Sequence, residues 1–247
     1  MTDPGPPVAL SALDEARFGI RTAKAPAITA TLLPEILDLC RRERVALLIA
    51  RCAASDLPAA QALEAAGGFL TDTLLYYARD RAGPAGPAEG GGMPVRPVRP
   101  GEEGTVEAVA AAAFRGYLGH YHADPRLDRA ACDAVYTSWA RRSCLHREVA
   151  DEVLVAERDG RIVGFATLKQ NGPEEGEGIL FGVAPEAQGL GVYRALMVNG
   201  MARCRAKGAR RMVVSTQITN AAVQRVWTRL GFELRHAVYT FHRWFDA

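Results

Sequence analysis

Fourteen residues, 114–127, read FRGYLGHYHADPRL and gather two of the chain's five histidines with two tyrosines and two arginines. An imidazole titrates near neutrality, so His120 or His122 can take a proton from an attacking nucleophile. Arg115 and Arg126, with Tyr121 between them, suit an anionic group such as a diphosphate on a substrate. The same composition also describes a solvated loop in which Asp124-Pro125 opens a turn. The remaining histidines of the last segment, His236 and His242, read as packing or surface groups.

A second segment, Gly182-Val183-Ala184-Pro185-Glu186-Ala187-Gln188-Gly189-Leu190-Gly191-Val192-Tyr193, runs from a strand through a glycine turn directly into a helix. Gly189 and Gly191 permit a sharp turn that exposes successive N–H groups at the positive helix end, a geometry that binds phosphate or pyrophosphate. Spacing excludes two other phosphate motifs. There is no GxxxxGK[ST], and Arg194 occupies the third glycine position of a GxGxxG fingerprint. The five cysteines form no CxxC pair and are expected to be reduced, small buried thiols. No metal site is expected.

The elements that must position these groups follow from periodicity and turn chemistry. Helices are expected over 105–114 and 128–142, and strands over 153–157 and 161–169, joined by the hairpin pair Asp159-Gly160. A strand over 178–183 leads to a helix over 190–207 that stops at Gly208. A strand over 211–216 follows. Thr219 then caps a helix with Val223, Val226, Trp227 and Leu230 on one face, and a strand over 239–245 closes the sheet. The order β-α-α-β-β-β-α-β-α-β is that of an α/β protein with a mixed sheet.

Upstream, Leu32, Leu33, Ile36, Leu37 and Cys40 mark a helix, followed by a strand over 45–51, a helix over 58–66 and a strand over 69–77. A shift of 163 residues places Ala59, Gln61, Gly68, Phe69 and Tyr76 on Ala222, Gln224, Gly231, Phe232 and Tyr239. A degenerate half-repeat is expected. Between the parts, residues 83–101 hold five of the 14 prolines and six of the 24 glycines and read as a linker. The expected organisation is an N-terminal piece over 1–82, the linker, and a main domain over 102–247.

The 247 residues carry 30 basic and 28 acidic side chains, a net charge of +2, and only three of the bases are lysine. Without a basic run this balance implies no nucleic-acid partner. An acidic, proline-containing start and the lack of a long apolar run imply no membrane span and a cytoplasmic protein.

Gln188-Gly189-Leu190-Gly191-Val192 resembles the R/Q-x-x-G-x-G/A signature of the GNAT superfamily of CoA-dependent N-acyltransferases, with Tyr193 where Gly or Ala is usual. Downstream, Asn220-x-x-Val223-x-x-Val226-Trp227-x-x-x-Gly231-Phe232 looks like that family's N-x-x-A-x-x-x-Y-x-x-x-G-F. The resemblance covers residues 93–245 and implies the GNAT fold, preceded by a truncated GNAT-like half. It further implies acetyl-CoA as co-substrate, beside a strand over 179–183 that splays from its neighbour. Pantetheine would pair with the backbone of Phe181 and Val183, flanking Gly182. Pyrophosphate would sit on the N–H groups of Gln188, Gly189, Leu190, Gly191, Val192 and Tyr193, with Asn220 near the pantetheine arm. Trp227 stands where many relatives place a tyrosine acid, and an indole supplies no proton near neutral pH. Tyr239 and Tyr193 are the replacement candidates.

The N-terminal piece and the segment Ala131-x-x-x-Val135-Tyr136-x-x-Trp139 are similar to the dTDP-fucosamine acetyltransferase branch. That resemblance implies transfer to the amine of a nucleotide-linked amino-deoxy sugar for surface polysaccharide, by direct attack in a ternary complex, and a homodimer. Two other readings stay open: acetylation of another amine such as a protein N-terminus or polyamine, and a non-catalytic acetyl-CoA-binding module.

Overall fold

The computed structural model describes residues 7–80 and 92–245, so residues 83–91 of the expected linker lie outside it. The first half comprises β1 (Ala9–Leu10), α1 (Ala12–Phe18), β2 (Thr22–Ala25), α2 (Leu33–Arg42), β3 (Leu47–Ala53), α3 (Leu57–Ala65) and β4 (Phe69–Asp80). The second comprises β5 (Val95–Pro97), α4 (Glu103–Ala113), α5 (Arg129–Leu145), β6 (Glu152–Arg158), β7 (Arg161–Gln170) and β8 (Glu175–Val183). It continues through α6 (Val192–Ala206), β9 (Arg211–Gln217), α7 (Ala221–Arg229) and β10 (Glu233–Trp244).

Local chemistry sets most boundaries. Asp159 and Gly160 take φ of 51° and 73° and join β6 to β7 in a two-residue turn, the double positive-φ geometry that matches strand twist. Asp56 and Asp128 cap α3 and α5 by accepting from the backbone N–H of Ala59 and Ala131. The cap of α7 is Asn220 rather than Thr219: its Oδ1 accepts from the Val223 N–H, and its Nδ2 donates to Thr216 Oγ1 at 3.0 Å.

The stretch read as a linker contains a strand. β5 pairs with β6 from Val95↔Ala156 to Pro97↔Leu154. An edge strand tolerates proline because one side of it needs no ladder partner. Arg96 fastens this edge by reaching Glu102 at 2.7 Å and Glu157 at 2.6 Å.

Ten strands form one sheet in the order β1-β2-β3-β10-β4-β9-β8-β7-β6-β5. The two halves therefore exchange their last strands. β10 runs antiparallel to β3, while β4 runs antiparallel to β9. The 163-residue shift relates these ladders: Cys52↔Tyr239 in one corresponds to Ser215↔Tyr76 in the other. Phe241 of β10 is accordingly buried with Ile36, Leu48 and Leu63 in the core of the first half. A second core joins Leu196, Met197, Met212 and Trp227, and a third packs Val106 and Ala140 on Phe165.

β8 and β9 are parallel and pair only from Glu175↔Arg211 to Gly178↔Val214, although they run on to Val183 and Gln217. A bulge starts the divergence. Leu168 pairs with Gly178 and Thr167 with Leu180, leaving Ile179 extra, and such an insertion bends its strand. The related strands β2 and β3 stay paired along the whole of β2. Among the described residues no helix is long and apolar enough to cross a membrane.

Candidate active site

After β8 a short 3-10 turn, Pro185–Ala187, leads to Gly189 and Gly191, whose φ values are 76° and 82°. Gly191 is the N-cap of α6, and its carbonyl accepts from the Ala195 N–H. The N–H groups of the first helical turn have no intrahelical acceptor, so they face outward with the positive end of the dipole. A Cβ at Gly189 or Gly191 would meet nothing within 4 Å. Gln188 ties the loop to the strand end through its Nε2 and the Val183 carbonyl at 3.4 Å. An open row of backbone donors is the chemistry a pyrophosphate requires. These residues fit the phosphate end of acetyl-CoA.

A cavity of about 570 Å³ begins in the opening between β8 and β9, beside Phe181, Thr216 and Asn220. It extends across the sheet to Lys24, Arg51 and Asp72 of the first half. Tyr117, Tyr121, Tyr136 and Trp139, from the α4–α5 loop and α5, form an aromatic wall. Phe114 and Tyr136 stack with ring centroids 4.7 Å apart, and Tyr117 meets Tyr136 edge-on at 5.0 Å.

His120 lines this cavity and starts a hydrogen-bonded chain into the protein. Its Nδ1 is 3.0 Å from His242 Nε2, and His242 Nδ1 is 2.7 Å from Asp124 Oδ2. The side chains of His242 and Asp124 are fully buried. The Trp244 indole N–H donates to the same Asp124 oxygen at 2.9 Å, and the Arg126 backbone N–H donates to the other. A carboxylate only accepts, so His242 carries its proton on Nδ1. In the tautomer where Nδ1 holds the only ring proton of His242, its Nε2 accepts from His120 Nδ1, and His120 Nε2 keeps a lone pair. Burial drives the His120 pKa well below the ordinary histidine value, and the nearby Arg51 and Lys24 charges act in the same direction. Burial would raise Asp124, but the bonds from His242, Arg126 and Trp244 hold it below the usual carboxylate value.

Asp14, also lining the cavity, is fully buried and receives Lys24 Nζ at 2.5 Å, Ser11 Oγ at 2.6 Å and Tyr121 Oη at 2.9 Å. Burial opposes its ionisation, yet these donors, Lys24 foremost, keep its pKa below normal. Asp72 behaves oppositely. Burial raises its pKa despite a hydrogen bond to Gln217.

Trp227 is buried, and its indole N–H donates to Tyr193 Oη at 3.0 Å. Tyr193 also lines the cavity. The Trp227 bond occupies an acceptor site on the phenol and leaves its O–H to be given elsewhere, while burial raises its pKa. A hydroxyl thus reaches the cleft from α6, not from α7.

Other expected site residues lie elsewhere. His122 is held within its own loop: Nδ1 accepts from the Gly119 N–H, Nε2 is 3.0 Å from Asp133, and the side chain is 1% exposed. Tyr239 packs on the first-half core, edge-on to Phe241 at 6.4 Å. Arg115 is exposed. Arg126 stacks over the Trp244 ring at 4.0 Å. None of these four lines the cavity. Tyr121 does, and its hydroxyl joins Lys24 to Asp14. Sequence reasoning missed Asp124 as a partner, His242 as a buried relay group, and Lys24, Arg51 and Asp72 as cavity walls. For Asp124 a signal existed in its place beside two histidines.

Residues 115–232 match the Acetyltransferase (GNAT) family. Among curated proteins, the chain is 37% identical over 89 residues to a mycothiol acetyltransferase of Cellulomonas flavigena, covering 32% of this chain and 26% of that protein. It is 26% identical over 126 residues to the spore coat polysaccharide biosynthesis protein SpsD of Bacillus subtilis, covering 50% and 42%. These alignments span about a quarter and two-fifths of the respective relatives' lengths. The fold is similar to that of a GCN5-related N-acetyltransferase from Sphaerobacter thermophilus, with a TM-score of 0.65 and 17% identity over 96% of this chain and 76% of that one.

Proposed function

We propose, from the match of residues 115–232 to the Acetyltransferase (GNAT) family, an acetyl-CoA-dependent N-acetyltransferase acting on the primary amine of a polar small molecule. The acceptor class is an amino-deoxy sugar carried on a nucleotide. The observation that carries the reading is the single cavity that joins the β8–β9 opening to His120 and the aromatic wall. Tyrosine and tryptophan faces suit the apolar face of a sugar ring. The likeness to SpsD, named for spore coat polysaccharide biosynthesis, supports the same class.

Acetyl-CoA, when bound, supplies an activated thioester. The N–H groups of Gln188 to Tyr193 would hold its pyrophosphate, and the strand edge at Phe181 and Val183, which β9 leaves unpaired, would hold pantetheine. Asn220, fixed as the α7 cap, lines the same opening. His120 Nε2 takes a proton from the amine nitrogen. That nitrogen becomes acidic as its lone pair is committed, so a neutral imidazole of lowered pKa suffices. Tyr193 Oη, oriented by the Trp227 indole, would donate a hydrogen bond to the departing sulfur as the carbon–sulfur bond breaks.

Steady-state CoA release with acetyl-CoA and a panel of dTDP- and UDP-linked amino sugars, polyamines and peptide N-termini tests the assignment. Turnover confined to the sugars is expected. Binding of CoA without turnover on any amine would sink it. Tyr193→Phe is expected to lower kcat about 10- to 100-fold with little change in CoA affinity, whereas an unchanged kcat would remove Tyr193 from the reaction.

A further inference from the structure

Arg51 lies within β3, opposite Thr240 of β10, and lines the acceptor end of the cavity. Its Nε is buried and has no hydrogen-bond partner among the described residues. The neighbouring cations are already engaged: Lys24 is 2.5 Å from Asp14, and Arg17 is 3.6 Å from Asp14 while donating to Ser138 Oγ. Asp72, which feels the Arg51 charge, is hydrogen-bonded instead to Gln217 and the Thr73 backbone. His120, also facing this region, is neutral because burial depresses its pKa. Arg51 therefore brings to the cavity wall a charge with no ion-pair partner among the described residues, an arrangement that is costly unless an anion completes it.

We infer that Arg51 is the anchor for an anionic group, a phosphate or a carboxylate, borne by the same molecule that presents the amine. The inference rests on the acetyltransferase reading for the amine and on the cavity alone for the anion. A guanidinium matches either anion through paired N–H donors, which an ammonium cannot do. It also relocates the anion recognition expected at Arg115 and Arg126 to the first half, whose strands supply Arg51, Lys24 and Asp72. The first half would then choose the acceptor, and the second half would hold the acyl donor.

The test compares glucosamine, glucosamine 6-phosphate, 2-amino-2-deoxygalacturonate and a dTDP-linked amino sugar, with wild-type protein and with Arg51→Gln and Arg51→Lys. The expected result is a kcat/KM at least about tenfold higher for an acid-bearing amine than for glucosamine. In Arg51→Gln that ratio falls towards one, and Arg51→Lys retains part of it. The three acidic probes separate phosphate, carboxylate and diphosphate as the anion. Calorimetric titration of the same probes into CoA-saturated protein gives a readout independent of turnover, and a thermal melt verifies that the variants fold. Weaker binding of the acidic probe to Arg51→Gln, with no amine turned over, would retain the anion site and reject the acetyltransferase reading alone. Equal affinity in wild type and Arg51→Gln, or no binding of any acidic probe, overturns the inference.

Discussion

His120→Gln should lower kcat by about 10²- to 10⁴-fold, while acetyl-CoA still binds to within about threefold of wild type. The affinity should persist because His120 approaches the cavity from the α4–α5 loop, whereas the glycine cradle lies at the start of α6. Asp124→Asn probes the same chain without touching the cavity. An amide can donate as well as accept, so His242 is no longer obliged to keep its proton on Nδ1. The opposite tautomer presents an N–H to His120 Nδ1 and moves the His120 proton to Nε2, the atom proposed to receive the amine's proton. A loss of about 10²-fold in kcat is expected, with the imidazole still present. The pH profile separates this from a packing defect. His120 must be neutral to accept, so kcat falls as pH drops through its lowered pKa. The acid limb should lie below the ordinary histidine value near 6.5 and vanish in His120→Gln. A limb at the same pH in that variant would assign the titration to another group.

Gly191→Val should weaken CoA binding about 100-fold and lower stability by about 1–2 kcal/mol. The two losses have different causes. Gly191 has φ of 82°, where a β-branched residue is strained in any surroundings. No protein atom stands within 4 Å of the added Cβ, so the protein itself offers little steric resistance. The new methyl groups instead occupy the space in front of the α6 N–H groups. Gly208, at the other end of α6 with φ of 96°, provides the control. Gly208→Val carries a comparable backbone penalty away from the cradle and should leave the CoA dissociation constant unchanged. Calorimetric titration reads the affinity, and denaturant melts read the stability. If Gly191→Val binds CoA as wild type does, the phosphates lie elsewhere.

The glycine turn proposed to cradle phosphate was legible as a turn because its elements are contiguous: strand, glycine turn and helix follow within a dozen residues. The helices and strands after residue 103 were legible for a similar reason, since apolar spacing and turn pairs such as Asp159-Gly160 act locally. Composition could name His120 but not its partners. His242 lies 122 residues away in sequence, on a strand whose alternation alone does not reveal a buried imidazole. Arg115 and Arg126 show the converse. Residue type matched an anion, but one points to solvent and the other lies on Trp244. The cavity walls at Arg51 and Asp72 depend on where β10 enters the sheet, which no local pattern encodes. β5 escaped notice because its prolines were read for flexibility, although an edge position accepts them.

The exchanged strands set the order in which this molecule can assemble. Val238 meets Ala53 across 185 residues of chain, so the ladder that completes the first half waits for a long loop to close. Until then β3 presents an unsatisfied edge, which is a template for foreign strands. Each half lends the other its closing strand, so the central ladders should be among the last to form. The acceptor wall at Arg51 would be completed only in that final step, making substrate selection a late product of folding.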